Sequence, residues 1–369
     1  MATQIKRIAI STGGGDAPGL NAVIHGAVHA ATALGWEVFG IRDGFEGLLA
    51  PGSPADGLMT LDRDAVRNIA HLGGTILGTT NRGNPLKQIS SGADSTKREV
   101  DRTGELISRF KEAGLDALIA VGGDGTLTIA HELSQRGLPI VGVPKTIDND
   151  LQSTVVTFGF DSAVSFATEC IDRLHSTAES HRRIMVVEVM GRYAGWIALH
   201  AGIAGRADAI LIPEIPYDIQ KVADHLRRKL SARQTYAIVV VAEGAKPAGG
   251  QLSLKEAARS DHVERLGGIG ETVASQLQTL VGNESRAVVL GHLLRGGSPS
   301  SLDRLLGLNF GAAAVRALDA GKTGVMVALN PPRIEHIPLE QAVSKLRLVP
   351  LDGNGVITAR ALQISFGDA

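Results

Sequence analysis

Two short acidic stretches carry the chemistry legible in this chain of 369 residues: Gly122-Gly-Asp-Gly-Thr126 and Pro144-Lys-Thr-Ile-Asp-Asn-Asp150. In the first, Gly123, Gly125 and Thr126 leave backbone N–H groups bare at a helix start, where the helix dipole favours a bound phosphate. Asp124 stands between them, placed to hold Mg²⁺ beside that phosphate. In the second, Asp148 and Asp150 are two residues apart. One can take a proton from a hydroxyl while the other orients metal or substrate. Either stretch alone reads as a turn. Both together, each at the end of an apolar strand, point to phosphoryl transfer.

The elements that must position them are simple. Apolar runs at 117–121 and 139–143 flank a helix-like run, which is a βαβ unit with parallel neighbouring strands. Both acidic loops then lie at the carboxyl edge of one sheet, where open α/β sheets bind ligands. Upstream, a strand at 7–11 enters Thr12-Gly-Gly-Gly-Asp-Ala-Pro-Gly19 and a helix at 20–34. This is a second phosphate cradle, with Gly14 and Gly15 at its centre. It is neither a dinucleotide fingerprint, because Pro18 replaces the third glycine, nor a Walker A loop. The nearest match to the latter, Gly321-Lys-Thr323, has Arg316 at the required first glycine. After a strand at 36–41, Phe45 is either a ring for stacking on a base or a packing residue. Arg82, in the glycine-rich loop 73–83, is a candidate phosphate ligand. The polar stretch 87–102 reads as a lid or surface loop.

Further strands are expected at 183–189, 209–213, 236–242, 286–290 and 325–329. Helices are expected at 160–176, 219–232, 301–320 and 339–345. The strand ends of this half carry Arg183, Arg192, Glu243, Arg286, His292 and Arg295. As a set, the arginines and the histidine describe a pocket for an anion, most simply a sugar phosphate.

The length suits two domains of ordinary size. A net charge of −1 gives no support to a general nucleic-acid or membrane role. The one cysteine, Cys170, excludes an internal disulfide framework and a multi-cysteine metal site, and reads as a buried structural thiol. No signal-like apolar core opens the chain and no run is long and apolar enough to span a bilayer, so a cytoplasmic location is expected.

The motifs at 12–19, 122–126, 144–150 and 190–195, with Glu243 and Leu290-Gly-His-Leu-Leu-Arg-Gly-Gly-Ser-Pro299, resemble those of the 6-phosphofructokinases in order along nearly the whole chain. The resemblance implies two similar three-layer α/β domains with mainly parallel sheets and an active site in the cleft between them. A phosphoryl-donor domain would hold 1–159 plus about 294–344, and a fructose 6-phosphate domain 160–293 plus about 345–369. On matching positions Asp148 is the base, supported by Asp150, with Thr146 lining the same loop and Asp124 binding Mg²⁺. The Gly15 N–H and Arg192 would stabilise the moving phosphoryl group. Met190, Gly191 and Glu243 would hold the sugar, and Arg183, Arg286, His292 and Arg295 its 6-phosphate. Arg183 and Arg286 are expected to reach in from a neighbouring subunit, implying a homodimer or homotetramer with shared sites.

The donor turns on Gly125 and Lys145. Pyrophosphate-using members typically carry Asp at the first position, where it would crowd and repel a nucleotide's α-phosphate, and Lys at the second. Gly125 leaves room for ATP. Lys145 is the pyrophosphate-type feature, although some ATP users of the long-chain type combine this Gly with this Lys. Where the well-known bacterial members bind effectors through arginines, this chain has His25, His29 and His175, weaker and pH-dependent anion ligands, so loss of that regulatory site is expected. NAD and lipid kinases share Gly-Gly-Asp-Gly-Thr but do not require the later motifs. A non-catalytic sugar-phosphate sensor should lack a base or metal ligand, and here all three acids are present.

Overall fold

The computed structural model describes residues 5–80, 84–91, 97–230, 234–250, 254–256 and 265–369. The chain divides into two compact units, each assembled from separate stretches. The first comprises Met1–Thr146, Leu151–Gly159 and Arg295–Leu346, and the second Ile147–Asp150, Phe160–Leu294 and Arg347–Ala369.

In chain order the first unit opens with β1 (Arg7–Thr12), α1 (Leu20–Ala33), β2 (Glu37–Ile41), β3 (Leu58–Thr60), β4 (Gln88–Ser91), β5 (Lys97–Val100), α2 (Thr103–Glu112), β6 (Ala117–Gly122), α3 (Asp124–Gln135) and β7 (Ile140–Pro144). The second unit holds α4 (Phe160–His181), β8 (Ile184–Val189), α5 (Trp196–Ala204), β9 (Ala209–Leu211), α6 (Ile219–Lys229), β10 (Ala237–Ala242), α7 (Ile269–Val281) and β11 (Ser285–Val289). The chain then completes the first unit with α8 (Ser301–Asp319), β12 (Val325–Asn330) and β13 (Arg333–Pro338).

The first unit's sheet has the order β13-β12-β7-β6-β1-β2-β3. Its five central strands are parallel, and β3 and β13 run antiparallel at the two edges. Every residue of β6 and β7 is buried, as expected of strands covered on both faces. Alternation assigns each side chain to a layer. Ile8, Ile10, Ile119 and Val121 join α1 and α8 on one side, whereas Ala9, Leu118 and Ala120 join α2 and α3 on the other. Each fully buried Ile or Leu contributes about 1.5–3 kcal/mol. Helices α1 and α8 approach closely because Gly26 abuts the Leu308 backbone and Gly311 the Val23 backbone, where any side chain would collide.

The second unit's four-stranded sheet, β11-β8-β10-β9, is wholly parallel. Helices α6 and α7 cover one face through Val222, Leu226, Val273 and Leu277. Helices α4 and α5 pack together and contact β8 and β10.

Several features depart from the sequence reading. Residues 88–91 and 97–100, expected in an irregular lid or loop, pair as an antiparallel hairpin. The antiparallel strand β13 and a C-terminal helix, Asn354–Ala361, were not anticipated. Helix α4 runs five residues beyond the expected end, to His181. Among the described residues, no helix is long and apolar enough to cross a membrane.

Candidate active site

In the first unit the chain runs from β1 through β2 to β3 on one side and later returns to β6 and β7 on the other, so β1 and β6 bracket the point where strand order reverses. The two glycine-rich loops leave these adjacent strands. The Gly13 N–H donates to the Val121 carbonyl at 2.9 Å. A methyl group at Gly13 would lie 2.6 Å from Thr126 Oγ1. Helix α3 begins at Asp124, and its first-turn N–H groups lack helical partners. Gly123 lies against the Lys145 backbone and Thr146 at the end of β7. Gly14, Gly15, Gly123, Asp124, Gly125, Thr126, Lys145 and Thr146 therefore share one carboxyl edge.

The β1 loop is held from outside. Thr79 Oγ1 donates to the Gly14 carbonyl at 2.6 Å and the Gly14 N–H donates to the Thr80 carbonyl at 3.1 Å. Lys145 is buried and its Nζ donates to the Gly15 carbonyl. Arg295 Nη1 donates to the Asp16 carbonyl at 3.0 Å, and its guanidinium lies where a side chain at Gly15 would project. Two cations thus flank a loop whose Gly13 and Gly14 N–H groups are engaged by protein carbonyls, so a phosphate oxygen would be met by the Gly15 N–H. Asp124 is open to solvent, yet the surrounding protein raises its carboxyl pKa above the ordinary aspartate value. Gly125 has an ordinary backbone conformation and open space where a side chain would go.

Phe45 is corrected to a packing residue. Its ring is buried in the core with Leu48, Leu106 and Phe110, leaving no face for a base. Arg82 lies outside the described residues.

In the second unit, Met190, Gly191 and Arg192 follow β8, and Glu243 and Gly244 follow the neighbouring β10. The Glu243 N–H donates to the Val189 carbonyl at 2.9 Å and the Gly244 N–H to the Gly191 carbonyl at 3.1 Å. Gly244 lies directly on the Arg192 carbonyl, so a side chain there would push the two loops apart. Arg192 stacks on Tyr193 at 5.3 Å. Asp148 and Asp150 belong to this unit, in a turn where Asn149 is buried and has φ of 52°.

Arg183 and Arg286 lie elsewhere. Arg183 precedes β8, Arg286 pairs with Met185, and both bind Glu284, Arg183 through Nε at 2.7 Å. These two arginines lower the Glu284 carboxyl pKa. Arg183 and Met190 stand at opposite ends of β8, about 20 Å apart at about 3.3 Å per residue. Arg183 therefore cannot share a ligand with Met190 in one chain. His292 is exposed.

At the three histidines, His25 Nδ1 lies 2.8 Å from the Val66 carbonyl and stacks on His29 at 4.3 Å. Burial, then the neighbouring His25 and Arg63, lower the His29 pKa. Both His175 nitrogens meet internal partners, the Tyr236 hydroxyl at 3.2 Å and the Gly205 carbonyl at 2.7 Å. Cys170 is half-buried, and burial raises its thiol pKa.

Sequence reasoning passed over Thr79, Thr80 and Glu214. Glu214 accepts the Gly195 N–H at 3.0 Å and fixes the start of α5 behind the Met190 loop. Isolated threonines and a glutamate after a proline carry no chemical signature of their own.

A doubly wound sheet with two glycine loops at its switch point and flanking cations defines a phosphate-binding α/β protein. The phosphofructokinase family model matches residues 7–318, and the chain belongs to that family. It is 50% identical over 369 residues to a Chloroflexus aurantiacus protein named ATP-dependent 6-phosphofructokinase, covering 100% of this chain and 99% of the relative. It is 47% identical to ATP-dependent 6-phosphofructokinase 1 of a Synechocystis species, covering 99% of each. The crystal structure of Pichia pastoris phosphofructokinase in the T-state superposes with a TM-score of 0.78 at 30% identity, over 98% of this chain and 37% of the yeast chain.

Proposed function

We propose that this protein transfers the γ-phosphoryl group of ATP to the 1-hydroxyl of fructose 6-phosphate. The observation that carries the donor assignment is the open, unstrained position at Gly125. Nothing in the fold requires a glycine there, so its small size serves what binds outside it. The ATP-dependent names of the relatives at 50% and 47% identity agree.

The residues of the first unit receive the donor. The Gly14–Gly15 loop and the start of α3 receive its phosphates, and Lys145 supplies positive charge at Gly15. Among the described residues, no three His, Cys, Asp or Glu side chains gather into a metal cage. Mg²⁺ commonly takes one or two carboxylates plus substrate phosphates, so a single exposed, partly desolvated Asp124 fits a metal carried by the nucleotide. When bound, Mg²⁺ neutralises charge on the donor phosphates.

The residues of the second unit receive the acceptor. Met190, Gly191 and Glu243 hold the sugar, and Asp148 accepts the 1-hydroxyl proton as that oxygen bonds to the γ-phosphorus and the bond to the leaving ADP oxygen breaks. Asp150 supports the base and Thr146 lines the same loop. Arg192 and the Gly15 N–H take up the charge spread over the moving phosphoryl group. Arg183 and Arg286, remote from Met190 in their own chain, serve the 6-phosphate of a second copy, together with that copy's own His292 and Arg295. The functional unit is therefore at least a homodimer. Lys145, a residue typical of pyrophosphate-using members at this position, keeps pyrophosphate as a second donor candidate.

Single-turnover assays with ATP, ADP and pyrophosphate test the donor, with fructose 1,6-bisphosphate formed fastest from ATP. Asp148→Asn should lower kcat by at least about 100-fold with substrate affinity kept. Near-normal turnover in that variant would remove the base assignment.

A further inference from the structure

The turn carrying Asp148 and Asp150 is held by a residue that the sequence motifs do not mark. Arg347 begins the C-terminal stretch, which belongs to the same unit as residues 147–150. Its backbone N–H donates to the Asp150 carbonyl at 2.8 Å, and its Nη1 lies 3.3 Å from the Asn149 carbonyl. One residue thus captures two consecutive carbonyls of the acidic turn. The turn needs such a hold, because Asn149 sits in the left-handed region at φ 52° with its side chain buried. A residue in that region persists when its surroundings over-determine it.

Arg347 is itself fixed. Its guanidinium lies 4.5 Å from the ring centroid of Trp196, and Trp196 Nε1 donates to the Arg347 carbonyl at 2.9 Å. Two residues on, the Val349 N–H donates to Glu214 Oε1 at 2.9 Å, the same carboxylate that accepts the Gly195 N–H. The first residue of α5, the C-terminal segment and the acidic turn are therefore one connected set of hydrogen bonds.

We propose that Arg347 is a positioning residue for phosphoryl transfer, holding the Asp148–Asp150 turn on a platform made by Trp196. This inference rests on Asp148 being the base. A planar guanidinium stacks on an indole and reaches a carbonyl at its edge in one rotamer, which an ammonium group cannot reproduce. The turn makes no covalent intermediate, so its contribution depends on placement. An error of about 1 Å in a positioned group costs on the order of 100-fold in rate.

The test compares Arg347→Met and Arg347→Lys with the parent enzyme in steady-state kinetics, thermal unfolding and tryptophan fluorescence. A Trp36→Phe background leaves Trp196 as the sole reporter. Arg347→Met should lower kcat by roughly 10- to 100-fold, leave KM for both substrates within about threefold, and change the Trp196 emission. Arg347→Lys should recover part of kcat without restoring the emission. A folded Arg347→Met with kcat within twofold of the parent would overturn the proposal. So would a kcat loss that merely follows the folded fraction. If the methionine variant fails to fold, the lysine variant decides by the same split between kcat and KM. Asp148→Asn separates the two levels: its retained activity would sink the base assignment, whereas a dead Asp148→Asn beside a normal Arg347→Met would sink only the positioning role.

Discussion

Replacing Gly125 with Asp should abolish most ATP use while leaving the fold intact. Position 125 is the second residue of α3, its φ lies outside the left-handed region, and nothing stands within 4 Å of an added Cβ. Removing a helical glycine gains a few tenths of a kcal/mol. A carboxylate in the first turn adds about 0.3–1 kcal/mol through the helix dipole, offset in part by repulsion from Asp124. Tm should therefore stay level or rise slightly. The cost falls on the ligand. A carboxylate about 5 Å from a nucleotide phosphate, at an effective dielectric near 20, is repelled by about 3 kcal/mol per unit charge. That corresponds to a loss of two to three orders of magnitude in kcat/KM for ATP. The assay is a steady-state titration with ATP and with pyrophosphate at saturating fructose 6-phosphate, alongside thermal unfolding. An ATP kcat/KM within about threefold of the parent would refute the steric and electrostatic account. A sharp fall in Tm would refute the claim that the protein tolerates a side chain there.

Two further outcomes follow from other parts of the molecule. Asp148→Asn and Arg286→Ser should each be inactive alone, yet subunits unfolded together and refolded as a mixture should recover about a quarter of parental activity, since random pairing makes half the dimers mixed and each mixed dimer retains one unaltered site; no recovery would place Arg286 outside the neighbour's site. His225 is partly buried on α6, and burial, followed by Lys229 and Arg228, lowers its pKa below the ordinary 6.5. The unfolded chain then binds the proton first, so this group's stability contribution is complete above pH 6.5 and is lost as pH falls from there through the depressed folded value. His225→Gln should flatten the decline of Tm on the acid side of pH 6.5, and an unchanged slope would remove His225 as its cause.

Much of this architecture could be read before any coordinates, because parallel strands buried on both faces leave unbroken apolar runs and each run here ends in a loop of distinctive residues. Residues 117–122 and 140–144 are of this kind. Half-exposed antiparallel strands leave weaker traces. Strand β13, Arg333–Pro338, is never fully buried and mixes charged with apolar residues, and the Gln88–Ser91 and Lys97–Val100 hairpin is polar enough to pass for a loop. Phe45 was ambiguous because an aromatic ring after a glycine suits a core and a base equally; only the packing of Leu106 and Phe110 around it decides. Arg347 was silent for a different reason. Its role comes from contacts with residues about 150 to 200 positions away, which no local spacing encodes.

The interleaving of the two units has a consequence during synthesis. Helix α1 emerges early from the ribosome, but the helix it packs on, α8, is about 270 residues downstream. At 5–20 residues per second the nascent chain must wait on the order of 10 to 60 s before the apolar side of α1 finds its native cover. A product released at any point before residue 301 would leave that surface bare, so premature termination of this chain should yield a client for chaperones and proteases and no working fragment.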